Sequence, residues 1–292
     1  MSREIDPEFS DNFSEARELA WRAITEIHSY AAETVTTDQP STTEALVFRL
    51  LTHLQLVSEG VDALLAVQSS ECASILIRSF YEASIKLQFL ALQDPKDQEI
   101  TAEEYSKLLW ESGNRRVQTR ASDAANIAAR QRDPYSEKAF ERVAKFEAET
   151  ELSISSKERN TLNQKWAHTS LFDWVKARYI ELGISPDVLG SLYHYGMSSH
   201  LLHADIIGLD LEFDHATRES SEMELKLIAE CAARLGEIVH GWLQCAIAIQ
   251  FLKGSSKSDL KPLFKHIEKF HTKSDHLIEV FFETREAFHE EN

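Results

Sequence analysis

Cysteine, glycine and proline are all scarce in this chain of 292 residues, which holds 3 Cys, 9 Gly and 6 Pro. The cysteines, Cys72, Cys231 and Cys245, form no C-x-x-C pair and have no metal-type spacing. That excludes a disulfide framework and leaves them as reduced core residues. With so little Gly and Pro, and no hairpin dipeptide between alternating apolar runs, a β-sandwich or barrel is excluded too. There is no Gly-rich phosphate loop, no nucleophile elbow and no pair of catalytic carboxylates. Long apolar runs are also missing. The most apolar stretch, Ile238 to Leu252, is interrupted by His240, Gln244 and Gln250 and is too short and polar to span a bilayer. The opening MSREIDPEFSDNF is acidic and has no signal-peptide pattern. A cytoplasmic protein without a membrane partner is the expectation. Positive charge is in deficit, 31 Lys and Arg against 48 Asp and Glu, for a net charge of −17. Such a chain does not bind nucleic acid broadly; any basic site has to be local.

What is present is a dominant 3.6-residue apolar period, which predicts an all-α fold. Helices are expected over 12–36, 42–68, 70–93, 102–131, 134–150, 158–182, 186–206, 222–253 and 260–289. Three starts carry the capping-box pattern, in which a Ser or Thr and a Glu satisfy free N–H groups reciprocally: Ser41 with Glu44, Thr101 with Glu104, and Ser221 with Glu224. Asp133-Pro134 and Ser185-Pro186 place a cap before proline at the first helical position. The whole chain, 1–292, reads as a single helical bundle. Residues 111–165 are polar and rich in Ala, Arg and Glu, so they read as a helical insertion, a lid or partner surface. Residues 218–292 read as a C-terminal helix pair. Its apolar residues run all round, which asks for cover on more than one side and makes it a candidate homodimer interface.

The stretch SLYHYGMSSHLLHADIIGLD, residues 191–210, places titratable groups on a core-type helix. Leu192, Tyr195, Ser199, His203 and Ile206 share one face, while His194, Ser198 and Asp205 fall on the opposite one. A buried imidazole needs partners for both ring nitrogens. His203 is therefore either a satisfied core residue or a proton-transferring one. A second polar pair, Arg78 and Glu82, stands four residues apart on a strongly apolar helix and is spaced to pair. It reads as an internal strut or as an anion-binding arginine oriented by the carboxylate.

Leu76-Ile77-Arg78-Ser79-Phe80-Tyr81-Glu82 followed by Tyr195-Gly196-Met197-Ser198-Ser199-His200-Leu201-Leu202-His203 resembles a bacterial all-helical family of unknown function. Its members share an R-S-x-x-E helix and a Y-x-x-x-S-x-x-x-H helix. The resemblance picks out Arg78, Glu82, Tyr195, Ser199 and His203. The family's shape is more distantly similar to HEPN-type domains, many of them metal-independent ribonucleases or nucleotide-binding modules in defence and toxin systems. That implies a ribonuclease or toxin-type effector acting on RNA, and commonly a dimer. The alternative is a non-catalytic module that binds a partner protein or a nucleotide.

A HEPN nuclease uses an Arg and a His four to six residues apart, and Arg234 with His240 is the alternative pair. Leu235 stands where that family has a polar residue. Glu237-x-x-His240 and Glu268-x-x-His271 have the spacing of di-iron ligands, but they fall on consecutive helices, so neither a metal nor another cofactor is expected. Basic residues collect in two places. Arg115, Arg116, Arg120, Arg130 and Arg132 lie in the insertion. Lys257, Lys261, Lys265, Lys269 and Lys273 form a ladder that spirals round its helix. Both are candidate surfaces for a partner protein or nucleic acid.

Overall fold

The apolar period builds nine helices, and no strand, among the residues described by the computed structural model, which are 7–35, 39–148, 155–184, 195–196, 220–252 and 260–290. They are α1 (Pro7–Val35), α2 (Thr42–Ala66), α3 (Ser70–Ala91), α4 (Gln98–Gln131), α5 (Pro134–Ala148), α6 (Ser156–Lys165), α7 (His168–Glu181), α8 (Ser220–Ile249) and α9 (Lys261–Glu290). The fold is an all-α helical bundle. None of these helices is long and apolar enough to cross a membrane. Tyr195 and Gly196 are helical, while the rest of the predicted helix 186–206 lies outside the described residues.

α3 is the hub. It packs against α2, α8 and α7, and α1 covers α8, α9 and α2. Phe80 of α3 is sealed against Trp242 of α8, with ring centroids 6.2 Å apart. The close approach requires Gly241, since a methyl group there would run into the Phe80 ring. The cover that the apolar circumference of α8 demands thus comes from α1, α3 and α9 of the same chain. On α8 that cover is therefore intramolecular, while α9 still exposes Phe264 and Phe282.

Two of the sequence-read starts hold. Ser41 accepts from the Glu44 amide at 3.2 Å while Glu44 accepts from the Ser41 amide at 2.7 Å. Asp133 accepts from the amides of Tyr135 and Ser136, both at 3.1 Å. Another, Thr101 with Glu104, does not start α4. The helix begins at Gln98, the Thr101 amide already bonds to Asp97, and Glu104 is drawn away by Trp166 and Lys165. The buried Gln98 side chain accounts for the earlier start. It donates to the carbonyls of Ala91, Gln93 and Phe251, tying the α3–α4 turn to the end of α8.

The single helix expected over 158–182 is two, α6 and α7, broken at Trp166 and Ala167. Ala167 is extended, at φ −67° and ψ 141°. The break turns the Trp166 ring inward against Phe89 and Tyr105, at 5.1 and 4.3 Å, and lets its indole N–H donate to Glu104 at 2.8 Å. Burying one large aromatic with its polar edge satisfied offsets the helical hydrogen bonds lost there. A local period cannot register that gain.

Residues 111–148 form a two-helix arm. The far half of α4 pairs with α5, burying Ala121, Ala125 and Ala128 between them. Alanines allow the two helices to approach closely but bury little surface.

Candidate functional site

On α3, residues 78, 82 and 86 recur every four positions, so Arg78, Glu82 and Lys86 share one face of an otherwise apolar helix. Arg78 Nε lies 3.4 Å from Glu82 Oε1. Tyr195, 117 residues further along than Arg78, closes this face. Its hydroxyl donates to Glu82 Oε1 at 3.1 Å and accepts from Arg78 Nη2 at 3.4 Å. The guanidinium also sits over the Tyr195 ring, 5.1 Å from the centroid. Three residues singled out by sequence, Arg78, Glu82 and Tyr195, are therefore brought together. Ser199 and His203 lie outside the described residues.

Three more groups join them that the sequence reading missed. The first position of α7, His168, stacks face to face on Tyr195, with centroids 3.7 Å apart and planes 3° from parallel. Its Nδ1 is buried and has no hydrogen-bond partner. Burial, opposed by Glu82 and reinforced by Lys86 and Arg78, holds its pKa down at about 4. Lys86 Nζ lies 6.0 Å from the centroid of Tyr105 of α4. Burial lowers the Lys86 pKa and Glu82 acts against that; burial followed by Glu82 raises Tyr105 to about 12. Among the described residues, no carboxylate pairs with the Lys86 ammonium. Lys86 had a visible signal, as the next four-residue step after Arg78 and Glu82. His168 had none, because it reaches the site only through the break at Ala167.

The histidine's depressed pKa sets a pH dependence. The unfolded chain protonates His168 near 6.5 and the folded one only near 4. Acid therefore favours the unfolded state. The contribution is complete above about pH 6.5 and is lost as the pH falls toward 4, on the order of 2–3 kcal/mol. His168→Phe keeps an aromatic ring on Tyr195 without the titration. Urea denaturation at about pH 7 and about pH 4.5 should show the wild type losing more stability than this variant. Parallel losses in the two proteins would mean His168 titrates normally.

The alternative pair is not brought together. Arg234 Nη1 donates to Glu237, whose other oxygen accepts from the Tyr81 hydroxyl at 2.6 Å, so Arg234 belongs to a buried α3–α8 bridge. His240 instead stacks on His271 of α9, with ring centroids 4.6 Å apart. Arg234 and His240 serve two different helix contacts. The two Glu-x-x-His motifs meet only through His240 and His271, and among the described residues no group of three or more His, Cys, Asp or Glu gathers in ligand geometry. In the lysine ladder, Lys273 pairs with Glu15 of α1 at 2.7 Å. Lys257 lies outside the described residues.

Residues 44–221, more than half of the chain, match the model of a family of unknown function, DUF5677. The chain belongs to that family. The matched span contains nearly all of α2, the whole of α3 to α7 and every residue of the Arg78–Tyr195 site, whereas α1, α9 and nearly all of α8 lie outside it. No curated protein and no solved structure matches the chain.

Proposed function

We propose that the α3 face closed by Tyr195 and His168 binds the phosphate of a nucleotide or RNA, as the phosphate-holding half of a HEPN-like, metal-independent ribonuclease site. A toxin-type effector role in bacterial defence belongs to the same reading. Lys86 carries the proposal. Its partly buried ammonium is unpaired among the described residues, on the same face as Arg78, and the Tyr195–His168 stack stands beside it. A partly buried ammonium whose nearby carboxylate, Glu82, is not in salt-bridge contact is only partly compensated, and a phosphate oxygen would relieve the remaining cost. The aromatic pair offers a surface for a base or ribose.

Cleavage needs a proton-transferring group as well. His168 is a weak base at neutral pH, since a pKa near 4 is far from the operating range. His203 is the candidate for that role. The closed Arg78–Glu82–Tyr195 clasp favours a second reading, a binding module without catalysis, because a satisfied arginine holds a shape as well as it holds a ligand.

One experiment separates these. A labelled short RNA is incubated with the protein in chelator, and both anisotropy and cleavage are followed for the wild type, Lys86→Met and His203→Ala. Lys86→Met should weaken binding about tenfold, the loss of one charge-assisted hydrogen bond. His203→Ala should retain binding and lose cleavage. Wild-type binding without cleavage would select the non-catalytic reading. No binding at micromolar protein would overturn both.

A further inference from the structure

The arm formed by α4 and α5 is charged oppositely to the molecule that carries it. Residues 111–148 hold eight Arg and Lys against six Asp and Glu, in a chain of net charge −17. The helical repeat of about 100° per residue sorts α4 into two faces. Ala121, Ala125 and Ala128 lie on one, buried against α5. Arg116, Arg120 and Arg130 lie on the opposite face, all exposed. Asp123 and the half-exposed Ile127 share that face. Tyr105, one end of the same angular strip, is the ring beside Lys86. The exposed arginines of the strip span about 21 Å, at about 1.5 Å per residue, on the same angular line as Tyr105, whose own ring is buried beside the candidate site. Beyond its far end stands Tyr135, 85% exposed.

We propose that this strip is a track for the phosphodiester backbone of a single-stranded nucleic acid whose end or reactive phosphate lies at Lys86. The proposal rests on the phosphate-binding reading of the α3 face and names its ligand as a chain longer than a dinucleotide. Exposed arginines spaced along one helix face suit a polyanion, whose phosphates they match bidentately and which releases counterions when neutralised. The rest of the molecule is acidic on balance and disfavours such a chain, which favours the strip. Tyr135 supplies a ring on which a base can stack.

The test measures anisotropy with the full chain on a labelled RNA of about 20 nucleotides, a DNA strand of equal length and a labelled dinucleotide, at several salt concentrations. Three proteins are compared: wild type, Lys86→Met, and the triple variant Arg116→Glu, Arg120→Glu, Arg130→Glu. The triple variant should bind the long strand at least about tenfold more weakly, with the salt slope reduced by about two for three lost phosphate contacts. Its dinucleotide binding should equal the wild type's. Lys86→Met should weaken both ligands. Because the three arginines are exposed, the variant should melt with the wild type. If the triple variant binds the long strand as tightly as the wild type, the track is refuted while the α3 site stands. If the wild type binds the long strand but Lys86→Met binds both ligands unchanged, the α3 reading fails and the arm is a separate site. A triple variant that changes only its mass by light scattering would make the arm's occupant a second copy of the chain and overturn the proposal. Equal RNA and DNA binding supports backbone recognition alone; preference for RNA adds a contact to the 2′-hydroxyl.

Discussion

Trp242→Ala should lower the stability of the folded chain by about 3–5 kcal/mol, the largest single-residue effect expected in the core. Trp242 is fully buried where four helices meet. Its indole N–H donates to Ser58 of α2 at 2.9 Å, its ring meets His28 of α1 edge-on at 5.5 Å, and Phe80 of α3 lies beside it. Truncation leaves a cavity that helix backbones cannot close, because each is held by its other contacts. The lost hydrogen bond adds little, since the Ser58 hydroxyl still donates to the Leu54 carbonyl at 2.8 Å. Trp242→Phe should cost distinctly less, as most of the volume is kept. Urea denaturation followed by circular dichroism at neutral pH checks both. A loss below about 1 kcal/mol for the alanine variant would show that this junction does not hold the bundle together. Trp242 lies outside residues 44–221, so the result also asks whether α8 is integral to the fold built on the family-matched helices.

Glu237→Ala should also cost about 3–5 kcal/mol, for an electrostatic reason. Glu237 accepts from both Arg234 and the Tyr81 hydroxyl. The side chains of Arg234 and Glu237 are only 19% and 10% exposed. Removing the carboxylate strips the mostly buried guanidinium of its closest counter-charge, leaving Glu230 at longer range, and takes the acceptor from Tyr81. The double variant Arg234→Met, Glu237→Leu removes both charges and should recover the part of the loss due to the uncompensated guanidinium, while the Tyr81 hydroxyl stays without its acceptor. If the double variant is no more stable than Glu237→Ala, the bridge is not a closed unit. The double variant also probes function. A structural bridge predicts unchanged RNA binding by the variant, whereas a phosphate-holding Arg234 predicts its loss.

The sequence by itself determined the all-α class, the approximate extent of most helices, the caps at Ser41 and Asp133, and the pairing of Arg78 with Glu82. Each of these follows from interactions within about four residues, such as the apolar period, a side chain bonding a nearby amide, or two charges one turn apart. Tyr195 was legible as a candidate through the resemblance, but its partner on α3 was not a local fact. Only the tertiary structure decided the rest. It broke the helix at Ala167, because Trp166 gains more from Phe89, Tyr105 and Glu104 than from another helical turn. It thereby placed His168 on Tyr195 and Lys86 against Tyr105. It split Arg234 from His240 by burying one against α3 and the other against α9. It covered the apolar circumference of α8 with α1, α3 and α9, one of the two covers the sequence had left open. All four depend on which surfaces meet between residues far apart in the chain, and burial and solvation at such contacts are set by the assembled bundle, not by any local stretch.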